Sequence, residues 1–150
     1  MTVMAALIDT NLLVYLFDPA DETKQAKARE VLDELHLYQA GRLSVQCLAE
    51  FFNVTTRGRQ PLMNPAMALE QVERFQGLYP VFPLTVPIIL EAGRGVRDHQ
   101  LAYYDAQLWA AAHLHQLTLL LSEDFQSGRV IEGVRFVNPF AADFRLTDWL

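Results

Sequence analysis

Short apolar runs alternate with longer amphipathic stretches along this chain of 150 residues, and that alternation constrains its fold more than any other feature. Residues 3–8 are an apolar run of strand length, ended by Asp9-Thr10-Asn11. Residues 118–121 are the clearest further strand and 135–138 the last, with 42–43 and 81–84 as briefer ones. Between them the spacing predicts helices over 12–17, 22–38, 45–56, 65–79, 87–96 and 103–115. In the second of these, Ala28, Val31, Leu32 and Leu35 share one face, and Lys24, Lys27, Glu30 and Glu34 the other. Ser44 and Asn64-Pro65 are helix-start chemistry, and Gly41 is a helix stop. Strands that alternate with helices imply a parallel sheet covered on both faces. The expectation is a three-layer α/β/α sandwich with a central, mainly parallel sheet, formed by residues 1–150 as a single domain.

Composition then narrows the function. Eighteen acidic against 12 basic side chains give a net charge of −6. That balance counts against a broad basic face for nucleic acid, and any such role must rest on a local basic patch or on metal ions. The lone Cys47 closes no internal disulfide and builds no zinc cluster, so a reducing, cytoplasmic setting is expected. The amino terminus lacks a basic segment, and Asp9 interrupts its apolar run, which argues against a signal peptide. No run approaches the ~18 apolar residues of a membrane span.

Four carboxylates stand where a sheet of this kind does chemistry, beyond the carboxyl ends of its strands. Asp9 follows the first strand directly, and Asp124 follows residues 118–121 across Ser122 and Glu123. Glu50 sits within Cys47-Leu48-Ala49-Glu50-Phe51-Phe52, beside an apolar stripe where a carboxylate is costly unless paired or metal-bound. Asp105 opens a helix apolar nearly all round, so burial is expected for it too. Singly, each has an ordinary explanation as a turn, cap, solvated face or first-turn acid. Together they would repel one another without protons or cations, and oxygen-only ligands favour Mg²⁺ or Mn²⁺.

In order and separation these segments resemble the PIN-domain family, and within it the toxin ribonucleases of bacterial VapBC toxin–antitoxin pairs. The residues that carry the resemblance are Leu7-Ile8-Asp9-Thr10-Asn11, Ser44 to Phe51, Tyr104 to Ala112, Leu120 to Phe125, and Ile131 to Pro139. The resemblance implies a metal-dependent endoribonuclease with Asp9, Glu50, Asp105 and Asp124 as its catalytic and metal-binding acids. Asn11 and Ser122 match the supporting polar positions, with Ser122 where threonine is commoner. Glu123 is expected in solvent rather than at the metal. The resemblance also implies an RNA substrate, a homodimer, and a small antitoxin that blocks the site. The alternative is a catalytically silent PIN-fold module that binds RNA or protein.

Other features have two readings each. Arg57, Arg59, Arg94, Arg97 and Arg129 flank the acidic segments and are candidate contacts for RNA phosphates, or solvated loop arginines. Tyr103, Tyr104 and Trp109 are base-stacking candidates or core aromatics. The four histidines lack metal-ligand spacing with Cys47 and read as surface or helix-end residues. Phe140 to Leu150 is too apolar to trail free and should pack on the domain or on a partner. The chain has no Gly-x-x-x-x-Gly-Lys loop, no Asp-x-Asp after its first strand, and no lysine beyond Lys27. These absences exclude P-loop NTPases and count against dehalogenase-type phosphatases and receiver domains.

Overall fold

The computed structural model describes residues 4–150. Its sheet begins with β1 (Ala6–Ile8), buried on both faces, as a central parallel strand must be. Val3, expected to open this strand, lies outside the described residues. Asp9 caps α1 (Thr10–Tyr15), so the helix starts two residues earlier than apolar spacing alone indicates. The amphipathic α2 (Glu22–Leu37) follows, capped by Asp21, and buries Ala28, Val31, Leu32 and Leu35 as expected. It ends at Gln39, in the left-handed region with φ 53°, while Gly41, expected as the stop, opens β2 (Gly41–Ser44). A Cβ at Gly41 would stand 2.6 Å from the Tyr79 ring, so this crossing admits only glycine unless the ring moves.

Ser44 caps α3 (Val45–Thr56), which buries Cys47, Phe51 and Thr55. After α4 (Pro65–Leu78) comes the short β3 (Val81–Phe82). The next helix, α5 (Val86–His99), is longer than expected; it ends on Gln100 in the left-handed conformation, with no glycine to mark the stop. Then α6 (Tyr103–Leu114) is buried from Ala106 through Ala112. Gly95 of α5 meets the Trp109 ring of α6 so closely that a Cβ there would lie 2.9 Å from two ring carbons.

The remaining strands are β4 (Leu119–Leu121), β5 (Val130–Ile131) and β6 (Val134–Val137). The sheet order is β3-β2-β1-β4-β6-β5. Every pairing is parallel except β5 with β6, a hairpin that periodicity did not reveal. Its two-residue turn, Glu132-Gly133, has positive φ at both positions, as right-twisted hairpins favour. The C-terminal segment packs back on the core, burying Phe144 and Leu146 with Trp149 and Leu150 against them. Cys47 is wholly buried, its thiol donating to the Ile8 carbonyl, and burial raises its pKa to about 12. Among the described residues no helix is long and apolar enough to cross a membrane.

The strand order positions the site. From β1 the chain moves outward to β2 and β3, then returns to the other side of β1 for β4 and β6. The crevice between β1 and β4, at their carboxyl ends, is the switch point where open α/β sheets bind ligands.

Candidate active site

Asp9 leaves β1 into that crevice and is nearly buried, with 4% of its surface exposed. One carboxylate oxygen accepts from the Thr10 amide at 2.6 Å and the other from the Ser122 hydroxyl at 2.6 Å. Ser122 follows β4, whose parallel pairing with β1 sets Leu121 beside Ile8. The Asp9 amide donates to the Leu121 carbonyl at 3.0 Å, so backbone and side chain both tie the two strand ends. Burial is the main reason that the Asp9 pKa rises to about 7; Ser122 and Thr10 oppose the rise, and the charges of Asp124 and Glu50 add to it.

Glu50 comes from the middle of α3. Its carboxylate accepts from the Thr10 hydroxyl at 3.0 Å and from the Gln46 amide at 2.9 Å. Asp105 lies in the first turn of α6 and is half-buried rather than enclosed as expected. Its pKa is raised by partial burial first, then by Asp124 and Glu50. Asp124 is exposed on the loop after β4, where Asn11 donates to it at 3.2 Å. The Asp124 amide donates to Ser122 Oγ at 3.1 Å, so one serine braces both strand-end acids. The structure thus sets Asp124 and Glu50 within electrostatic reach of both Asp9 and Asp105, with Asn11 and Ser122 between the strand-end pair.

The donor chemistry fits a hard divalent cation. All the side-chain ligands on offer are oxygens, and a carboxylate oxygen that accepts one hydrogen bond retains a second lone pair. Asn11 Oδ1 is buried with no hydrogen-bond partner among the described residues, an acceptor left over beside the acids. The acids as they stand lean on neighbouring donors rather than on a common centre. Among the described residues no three His, Cys, Asp or Glu side chains stand at metal-coordinating separation.

Sequence reasoning missed three contributors and misread a fourth. Thr10 and Gln46 hold Glu50, and Gln107 donates to Gln46 at 2.8 Å. A hydroxyl directly after Asp9, and a glutamine one helical turn before Glu50, were the available signals. Glu123 is not solvated: Tyr15 donates to it at 2.6 Å and Lys24 at 2.7 Å, leaving its side chain 19% exposed. This clamp anchors the loop that carries Asp124. Of the aromatics, Trp109 is a core residue whose indole donates to the Ile131 carbonyl, while Tyr103 and Tyr104 are exposed.

The arginines divide. Arg57 and Arg59 are exposed in the loop after α3. Arg94 is committed to acids, its fork closed on Glu132 at 2.8 and 3.0 Å and its Nε on Glu91. Arg97 pairs with its neighbour Asp98, and Arg129 donates to the His99 carbonyl. His99 and His113 join the Arg94 network through Glu132 and Glu91.

The PIN domain family model matches residues 6–131, which include all four acids. Solved structures share the fold at low sequence identity. A toxin–antitoxin complex from Klebsiella pneumoniae is 21% identical with a TM-score of 0.62, covering 90% of this chain and 98% of that one. DNA-bound VapBC from Salmonella typhimurium is 17% identical with a TM-score of 0.66, covering 91% and 99%. A Mycobacterium tuberculosis VapC toxin that cleaves the sarcin-ricin loop is 15% identical with a TM-score of 0.63, covering 87% and 99%. No curated protein matches the chain.

Proposed function

This chain belongs to the PIN-domain family, and from that premise we propose that it is a Mg²⁺- or Mn²⁺-dependent endoribonuclease, the toxin of a type II toxin–antitoxin pair acting in the cytoplasm. The observation that carries the reading is the gathering of acids from two strand ends and two helices at the β1–β4 switch point, where Asp124 and Glu50 bear on both Asp9 and Asp105. Asp9, Glu50, Asp105 and Asp124 would hold the cation, which when bound would supply a charge able to activate water and stabilise phosphate oxygens.

The chain's own residues prepare that chemistry. Ser122 and the Thr10 amide fix both oxygens of Asp9. Thr10 and Gln46 do the same for Glu50, and Asn11 steadies the exposed Asp124. Asp105 has no such brace among the described residues, and partial burial, with the charges of Asp124 and Glu50, raises its pKa. The open side of the site supports an RNA substrate. Tyr104, two-thirds exposed, offers a stacking face beside Asp105, and Arg57 and Arg59 offer charge to phosphates. Arg97 and Arg129 are further phosphate candidates, whereas Arg94 is already occupied by carboxylates.

An antitoxin partner is supported by the structural neighbours, described as toxin–antitoxin complexes. A homodimer is supported by the exposed apolar side chains Val86, Ile89 and Leu90 on α5.

The test is cleavage of a mixed RNA pool by antitoxin-free protein, with and without Mg²⁺ or Mn²⁺, beside Asp9→Asn. The expected result is metal-dependent cleavage by the native chain and none by a folded Asp9→Asn. No cleavage under any metal condition, or full cleavage by the variant, overturns the assignment and leaves the binding-module alternative.

A further inference from the structure

We propose that Gln46 and Gln107 form a positioning relay that sets Glu50 and Asp105 together; the inference rests on the metal-site reading above. Glu50 Oε1 and the Tyr104 carbonyl oxygen act here only as acceptors. Both lie within reach of Gln46 Nε2, at 2.9 and 3.0 Å, and together they use its two hydrogens. The orientation of that amide is therefore dictated, and its oxygen must point the other way. There it accepts from Gln107 Nε2 at 2.8 Å. The flip state of each glutamine is thus fixed by the next group along, from Glu50 back to Gln107.

The relay controls two acids through different handles. It holds Glu50 by its carboxylate, with Thr10 on the other oxygen at 3.0 Å. It holds Asp105 by its backbone, because the Tyr104 carbonyl and the Asp105 nitrogen belong to one planar peptide. Pinning that carbonyl to α3 fixes where the first turn of α6 presents Asp105. Gln107 is 5% exposed, next in sequence to the buried Ala106 and Leu108. A buried amide is unfavourable without a partner, so Gln107 anchors the relay rather than following it. Gln46, half-buried, is the member that faces the site.

The experiment is Mn²⁺ binding by electron paramagnetic resonance to the native chain, Gln46→Ala and Gln107→Glu, with thermal melts to show that each is folded. Gln107→Glu keeps the size of the side chain and supplies no hydrogen once ionised; a buried carboxyl group titrates high, so binding is followed from neutral pH upward. Gln46 must then turn its nitrogen inward and set its oxygen against Glu50 and the Tyr104 carbonyl. Both variants are expected to bind Mn²⁺ about tenfold more weakly or worse. Raising Mn²⁺ should restore cleavage by Gln46→Ala at an unchanged RNA KM, a recovery that general destabilisation would not allow. If the buried carboxylate of Gln107→Glu prevents folding, Gln46→Ala alone decides the matter. Native Mn²⁺ affinity in Gln46→Ala overturns the relay and leaves the metal-site reading standing. Absence of Mn²⁺ binding by the native chain overturns the metal-site reading, and the relay with it.

Discussion

The Ser122 hydroxyl donates to the Asp9 carboxylate at 2.6 Å, across the seam where β1 and β4 run parallel. The same oxygen accepts the Asp124 amide, so one hydroxyl is shared by two acids. Ser122→Ala should leave a buried Asp9 oxygen without its donor, at a cost of about 1–3 kcal/mol. It should also lift the Asp9 pKa further, because this hydrogen bond lowers it. Cleavage should fall at least about tenfold, as when the outer support of a metal ligand is lost. Ser122→Thr keeps the hydroxyl and should retain activity. Urea denaturation and a cleavage assay on both variants check this.

Stability without added metal should fall as pH rises through the range in which Asp9 ionises. Its pKa is raised from 3.8 to about 7 in the folded chain, chiefly by burial. The native state therefore holds a proton that the unfolded chain releases. The stabilisation is complete below the unfolded pKa and is lost as pH passes the folded one. The loss between pH 4 and 8 is on the order of 3–4 kcal/mol for Asp9 alone. Asp9→Asn should flatten this part of the profile and be the more stable protein at pH 8. Melting curves in chelator across that range would show it, and an equally steep profile in Asp9→Asn would count against the assignment.

Mg²⁺ should reverse that destabilisation. A cation bound only by the native state raises stability by about 1.4 kcal/mol at ten times its dissociation constant. The melting temperature of the native chain should rise at millimolar Mg²⁺. Asp105→Asn should blunt the rise, since Asp105 is one of the proposed ligands, its pKa raised by burial and then by the charges of Asp124 and Glu50. An unchanged melting temperature in the native chain speaks against a formed site.

Arg57 and Arg59 should carry electrostatic affinity for RNA, while Arg94 should not. The first two are exposed, and the third is bound to Glu132 and Glu91. In an Asp9→Asn background, which binds without cutting, Arg57→Ala/Arg59→Ala should weaken single-stranded RNA binding and make its salt dependence shallower by about 1.4 log units per log unit of salt. Arg94→Ala should instead loosen the β5–β6 turn that carries Glu132. Fluorescence anisotropy at several salt concentrations separates the two behaviours.

Much of this was legible in the sequence, because burial leaves a plain record. Leu7-Ile8 and Leu119 to Leu121 read as central strands because both their faces are covered. The strand-end acids followed from that alone. Boundaries were less legible where a capping side chain or an unusual backbone conformation decided them. Asp9 starts α1 two residues early, and Gln39 and Gln100 stop helices in a conformation usually left to glycine. The β5–β6 hairpin was missed because a two-residue strand has no periodicity to detect. The supporting residues Gln107, Tyr15 and Lys24, and the reach of Gln46 to the Tyr104 carbonyl, were illegible for a different reason: each contact joins two elements, and only the folded chain brings the partners together.

The parallel register of β1 against β4 also sets a timetable for synthesis. Ile8 finds its strand partner only at Leu121, and Asp9 finds its serine one residue later. At about 5–20 residues per second, a ribosome needs several seconds or more to supply the second half of that pair. Until then the growing chain holds three of its acids but has no β4 to close the crevice. An enzyme proposed to cut RNA is read, codon by codon, from the kind of molecule it attacks, and until Leu121 and Ser122 are made its crevice lacks one wall. Its topology delays closure of the crevice until β4 has been made.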